Sequence, residues 1–144
     1  MSTFSTTVSS PLPPADVFTY MARFSNAAEW DPGVVSAEDV TPGPPVRGSR
    51  YLLVVGFLTR KVPLEYRIEE IDAPRRVVLQ AENSMISSTD IIEVSPGPDG
   101  GSTIAYEANL NLKGKLALFS PLAALAFRRV GERAASGLSA ALAT

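Results

Sequence analysis

The 144-residue sequence contains neither cysteine nor histidine. Without cysteine there is no disulfide, no thiolate nucleophile, no iron–sulfur cluster and no Cys-based zinc site. Without histidine there is no Ser-His-Asp or Cys-His triad, no imidazole base poised near neutral pH, and no imidazole ligand for haem, copper or zinc. An excess of either charge is missing too: 13 Lys plus Arg stand against 15 Asp plus Glu, a net charge of −2, whereas a nucleic-acid reader carries a clear basic excess. No apolar run approaches the roughly 20 residues a bilayer requires. The longest, Leu116 to Phe127, is interrupted by Ser120 and Pro121. The first residues, Met1 to Val8, lack the charged start and apolar run of a signal peptide, so a cytoplasmic location is expected. No cofactor, metal, nucleic-acid partner or stable membrane insertion is expected either.

What is present is the composition of an ordinary folded protein, with 45% apolar and 19% charged residues. The length suits one domain, residues 1–144, because about 150 residues bury roughly two-thirds of their unfolded surface. Proline and glycine cluster at 11–14, 32–33, 42–48 and 96–101 and mark the breaks. Phe4 to Val8 reads as a first strand. After Ser10-Pro-Leu-Pro-Pro14, the spacing of Val17, Phe18, Met21 and Phe24 predicts a helix over 16–24. Ser25 and Asn26 are positioned to cap a second, very short helix, Ala27 to Trp30, ended by Asp31-Pro32-Gly33. From Val34 the period changes to two. Strands are predicted at 34–40, 49–57, 60–71, 76–83, 85–95 and 102–112, at the spacing of an antiparallel sheet. Pro63 conflicts with an interior strand, which predicts a bulge there or an unpaired position near a hairpin.

Residues 116–143 read as one long helix, with Ala123, Phe127, Val130, Ala134, Leu138 and Ala141 on one stripe. Leu118, Leu122 and Leu125 lie on what becomes the polar side, an apolar surface suited to a homodimer or another partner. The pattern is α+β: a strand, two short helices, six antiparallel strands, and a long C-terminal helix that a curved seven-stranded sheet can wrap. One helix does not fill that concavity. The small residues Ala123, Gly131, Ala134 and Ala141 on its inner stripe imply space between helix and sheet, hence an internal apolar cavity.

The order of elements, with the segments Ser10-Pro-Leu-Pro-Pro-Ala-Asp-Val-Phe18, Glu29-Trp-Asp-Pro-Gly-Val34, Leu64-Glu-Tyr66, Ala73-Pro-Arg-Arg76 and Arg128-Arg-Val-Gly-Glu-Arg133, resembles the polyketide cyclase/dehydrase and lipid-transport family of the START-like (SRPBCC) superfamily. The resemblance covers essentially the whole chain. It implies the helix-grip fold and a hydrophobic-ligand cavity between sheet and C-terminal helix. Its segments mark turns, a helix start and packing positions; none is a catalytic signature.

Alternation along the strands predicts which residues face that cavity. Tyr51, Leu53, Val55 and Phe57 share a face, as do Val62, Leu64, Tyr66 and Ile68; Ser88, Asp90, Ile92 and Val94; and Ile104, Tyr106, Ala108 and Leu110. The expected ligand-binding set is Tyr51, Leu53, Leu64, Tyr66, Asp90, Ile92, Tyr106 and Ala108, with Phe127 and Val130 from the helix. Asp90 stands out, because a carboxylate facing an apolar cavity is costly unless paired, and desolvation raises its pKa. It reads either as a weak candidate acid or base that also binds a ligand hydroxyl, or as a strand-end residue meeting water, a turn or an arginine. Tyr66 and Tyr106 read either as donors to a ligand carbonyl or as core tyrosines. Trp30, the single tryptophan, is either a gate at the cavity entrance or a packing anchor. Arg128, Arg129 and Arg133, with Arg75 and Arg76, either meet an anionic headgroup or form a solvated face in which Arg128 pairs with Glu132.

The favoured function is binding or transport of a small hydrophobic ligand. A polyketide cyclase or dehydratase-type enzyme is the alternative, and an accessory protein acting through the leucine face is a third.

Overall fold

The computed structural model describes residues 2–57, 59–114 and 120–143, with side chains described for all of these except 57 and 120–127. Strand β1 (Ser2–Ser10) leads into helix α1 (Pro14–Ala22), a 3-10 turn (Phe24–Asn26) and the one-turn α2 (Ala27–Trp30). Strands β2 (Val34–Asp39), β3 (Arg50–Phe57), β4 (Arg60–Asp72), β5 (Arg76–Glu82), β6 (Ile86–Pro96) and β7 (Ser102–Leu112) follow, and α3 (Ser120–Ala141) ends the chain. All neighbours are antiparallel, in the order β1-β7-β6-β5-β4-β3-β2. After β1 each strand therefore pairs with the next in sequence, and the first strand closes the far edge on β7.

The sheet curves because two strands carry register shifts, between Val34 and Ser36 in β2 and between Ile68 and Glu70 in β4. Each extra residue bends its strand and increases its twist. The concave face holds the alternating apolar residues predicted from the period of two, among them Val62, Leu64, Tyr66 and Ile68 of β4 and Ile104, Tyr106 and Ala108 of β7. Helix α3 packs against β1 and α2, while α1 packs against β6. The end of α3 is held by Ser10, whose Oγ donates to the Leu142 carbonyl at 2.6 Å and accepts from the Leu12 N–H at 3.1 Å. That carbonyl is one of the acceptors a helix C-terminus leaves without an intrahelical partner. Among the described residues no helix is long and apolar enough to cross a membrane.

Several local expectations are corrected. Pro63 carries no bulge, since it pairs regularly with Val54 and the β4 bulge falls five residues later, but on its other side it is the unpaired position near a hairpin that was the alternative expectation. The Pro63 carbonyl accepts from Asn83 Nδ2 at 3.1 Å on the side where β5 has already ended, so the ring nitrogen, on that same side, costs no ladder bond. Helix α1 begins at Pro14, whose fixed φ suits the first helical position, and stops at Ala22 rather than Phe24. Ser25 and Asn26 do not cap α2: Ser25 Oγ donates to Asp39 and Asn26 Nδ2 to the Tyr20 carbonyl. Gly131 leaves no space, because a Cβ there would lie 2.5 Å from the Phe4 ring. Among the described residues Arg128 and Glu132 form no ion pair, while Arg75 and Arg76 are paired with Asp72, Glu70 and Glu93. The leucine surface of residues 118, 122 and 125 lies outside the described side chains.

Candidate functional site

Strand β6 places Ser88 and Asp90 two residues apart on the concave face, and both are buried. In the ladder Asp90 stands opposite Ala108 of β7, which brings Tyr106 to the diagonal position. An aromatic side chain reaches across such a diagonal. Tyr106 Oη donates to Asp90 Oδ2 at 2.6 Å, a length typical of a charge-assisted bond. On the other flank, the β5 residue opposite Ser88 is Ala81. Its small side chain lets the Tyr66 ring of β4 pass, so that Tyr66 Oη donates to Ser88 Oγ at 2.9 Å. Ser88 Oγ in turn donates to Asp90 Oδ1 at 3.2 Å. Three strands thus converge on one carboxyl group that is only 3% exposed.

These groups form one wall of a cavity of about 100 Å³ between the sheet and α3. Leu53, Leu64, Ile86 and Val130 belong to its apolar remainder. A second carboxyl, Asp31, enters from the turn after α2, with Oδ1 accepting the Gly33 N–H at 2.8 Å. The Gly33 carbonyl accepts the Gly56 N–H at 2.8 Å, and a Cβ on Gly33 would lie 2.9 Å from Val130 Cγ1. Asp31, Gly33, Gly56 and Val130 therefore meet, and these partly exposed residues mark the mouth.

Burial pushes the Asp90 carboxyl from its ordinary 3.8 up to about 7, against the Tyr106 hydrogen bond, which favours the charged form. The Asp31 charge pushes the same way as burial, and the Ser88 hydrogen bond opposes it. Asp31 is raised to about 6 by burial, partly offset by the Gly33 N–H. Tyr66 and Tyr106 are raised well above 10.0, first by burial and then by the nearby Asp90 charge, so both stay protonated at neutral pH. The cavity thus holds two carboxyl groups that exchange protons near neutrality and two hydroxyls that do not.

Of the residues expected from the sequence, Leu53, Leu64, Tyr66, Asp90, Tyr106, Ala108 and Val130 line this space. Tyr51 and Ile92 do not. Tyr51 is a core residue lying between Asp39 and Tyr66, and Ile92 lies further along β6, the strand that α1 covers. The Phe127 side chain lies outside the described residues. Trp30 is not among the residues lining the cavity: it is 2% exposed, with its ring edge-on to Tyr106 at 5.4 Å, and its carbonyl occupies the place a Cβ on Gly137 would need. It anchors α2 to α3, and the mouth begins at the next residue.

Asp31, Gly33 and Gly56 were not identified from the sequence. Asp-Pro-Gly is a helix stop in any protein, and only the approach of this turn to β3 and α3 turns its carboxyl inward. Ser88 was on the predicted face without a role, which came from a tyrosine two strands away.

Comparison with known structures finds the same architecture elsewhere. TTHA0849 from Thermus thermophilus superposes with a TM-score of 0.76 at 16% identity, over 98% of this chain and 95% of that one. A START superfamily protein from Mycobacterium smegmatis gives 0.78 at 12% identity, over 99% and 97%. Such low identity speaks to fold alone, the START-like helix grip, and no curated protein matches the sequence. Residues 1–143 match the family described as polyketide cyclase/dehydrase and lipid transport, and the chain, a hydrophobic-ligand-binding fold closed around an acid-bearing cavity, belongs to that family.

Proposed function

We propose that the protein binds a small, largely apolar molecule between sheet and α3, oriented by the Tyr66–Ser88–Asp90–Tyr106 chain. The observation that carries this reading is the cavity itself. Its walls are mainly hydrocarbon, with the polar atoms gathered on one side, the arrangement that gives affinity through burial and orientation through a few fixed groups. Its size narrows the ligand. Drug-sized pockets run from about 300 Å³ upward, and an apolar cavity of about 150 Å³ admits benzene. A space of about 100 Å³ is smaller still, so it suits one segment of a longer chain, or a single ring for which the lining side chains give way.

Toluene provides the test, followed through the fluorescence of Trp30, whose ring abuts Tyr106. Saturable binding is expected, and Ala108→Leu, which fills the cavity from β7, should abolish it while the melting temperature holds. Absence of saturable binding, or equal binding by Ala108→Leu, overturns the proposal.

A second reading, catalysis of the cyclase or dehydratase type, draws on the two carboxyl groups. One in its acid form can donate to a ketone carbonyl while the other, ionised, removes the adjacent C–H proton and returns it. This predicts accelerated exchange of the acetophenone methyl protons in D₂O, lost in Asp90→Asn. Exchange at the buffer rate refutes it.

A further inference from the structure

The hydrogen-bonding capacity of the cavity is one-sided. Tyr66 gives its proton to Ser88, Ser88 gives its own to Asp90, and Tyr106 gives its proton to Asp90. The Gly33 N–H is engaged on Asp31 Oδ1. Once both carboxyls are ionised, the donors around the space among the described residues are therefore spent, and what remains open is lone pairs: those of the two phenol oxygens, of Asp90, and of Asp31 Oδ2, which has no hydrogen-bond partner among the described residues.

Charge is equally one-sided. Among the described residues no lysine or arginine lines the cavity, and the ion pairs formed by those residues stand on exposed side chains elsewhere. Two carboxyl groups facing a low-dielectric space with no counter-charge among the described residues are costly to ionise. A carboxylate or an acceptor-only ligand would add like charge and further lone pairs to such a site. A ligand that brings N–H donors and a positive charge supplies both missing elements. The rings of Phe24, Tyr66 and Tyr106 border the same space and favour a cation with an apolar body.

We infer that the cavity selects a small apolar amine in its ammonium form, with Asp90 and Asp31 receiving its N–H groups and the hydrocarbon lying against Leu53, Leu64 and Val130. This rests on the binding reading above and narrows it to a ligand class. The titratable groups facing the ligand are Asp31 from the turn after α2, Tyr66 from β4, Asp90 from β6 and Tyr106 from β7. The contributions of the 3-10 turn, β2, β3 and the described part of α3, namely Phe24, Val34, Leu53, Val55, Gly56 and Val130, do not titrate. Only the two carboxyls change charge near neutrality. Ammonium binding should accordingly tighten from pH 5 to pH 8, as they ionise.

Four probes built on one phenyl ring separate the possibilities: benzylamine, benzyl alcohol, toluene and benzoate, each titrated into the whole protein by calorimetry. At pH 7.5 benzylamine should bind about tenfold or more tightly than the other three, as expected for a charge-assisted contact in place of an unmade one. In Asp90→Asn and in Asp31→Asn the ratio of benzylamine to toluene affinity should fall toward one, with folding checked by circular dichroism. If toluene or benzyl alcohol binds as tightly as benzylamine, or benzoate binds more tightly, the amine inference is overturned while the binding reading stands. If none of the four binds, both fall. A benzylamine affinity that weakens between pH 5 and pH 8 also overturns the inference.

Discussion

Replacing Asp90 by asparagine should make the protein more stable, and should do so only above about pH 5. In the folded chain the carboxyl titrates at about 7, whereas the unfolded chain offers it the ordinary 3.8. Between these values the folded state holds more protons than the unfolded state, so stability falls as pH rises. At about 1.4 kcal/mol for each tenfold change in proton affinity, the full cost of ionising Asp90 in place is about 4 kcal/mol, complete only above pH 7. Roughly 2–3 kcal/mol of it accrues between pH 5 and pH 8. Asp31, raised to about 6, acts in the same direction over a narrower window.

Asp39 shows the opposite behaviour. Its carboxyl is held below the usual range by hydrogen bonds from Arg23 and Ser25, so its contribution is present above 3.8 and is lost only in stronger acid. Urea unfolding at half-unit steps from pH 5 to pH 8 therefore isolates the buried acids. The wild type should lose about 2–4 kcal/mol over that range and Asp90→Asn only about 1 kcal/mol. At pH 8 the variant should be the more stable by about 2 kcal/mol, since the amide avoids the ionisation cost while giving up a charge-assisted bond from Tyr106. A wild-type stability that is flat or rising with pH, or an identical slope in the variant, would refute the assigned environment of Asp90.

Two further predictions concern the clasp around α3. Gly137→Ala drives a methyl group into the Trp30 carbonyl, so helix and turn must separate, at about 1–3 kcal/mol in thermal or urea unfolding. An unchanged melting temperature would show that α2 and α3 do not meet there. Ser10→Ala leaves the Leu142 carbonyl and the Leu12 N–H without their shared partner, a loss of about 1–3 kcal/mol. It should also speed amide exchange in the last turn of α3, and unaltered protection at Leu142 would contradict the clasp.

Much of the architecture was legible because periodicity is local. Residues alternating on a strand must face opposite sides, so the inward placement of Tyr66, Asp90 and Tyr106 followed once Leu64, Ile92 and Ile104 were assigned to the core. Helix α2 was found at Ala27–Trp30 because a proline and a glycine end it abruptly. The errors have equally local causes. A glycine on the helix stripe looks like empty space, but its emptiness was the footprint of Phe4, 127 positions earlier in the chain. Pro63 looked like a defect because the sequence does not say that β5 ends before reaching it.

The absence of cysteine and histidine settled by itself that no thiol or imidazole takes part in any chemistry here, and the pattern of apolar residues pointed to one curved sheet wrapping one long helix. Only the tertiary structure decided that Asp31 and Asp90 line one cavity. Asp31 and Asp90 are 59 positions apart and belong to a turn and a strand with no shared pattern. Their proximity depends on how tightly the Asp31–Gly33 turn closes against Gly56 and Val130. That closure also decides the environment: a carboxyl group's proton affinity is set by the water and charges excluded around it, and exclusion is a property of packing, which no stretch of sequence carries alone.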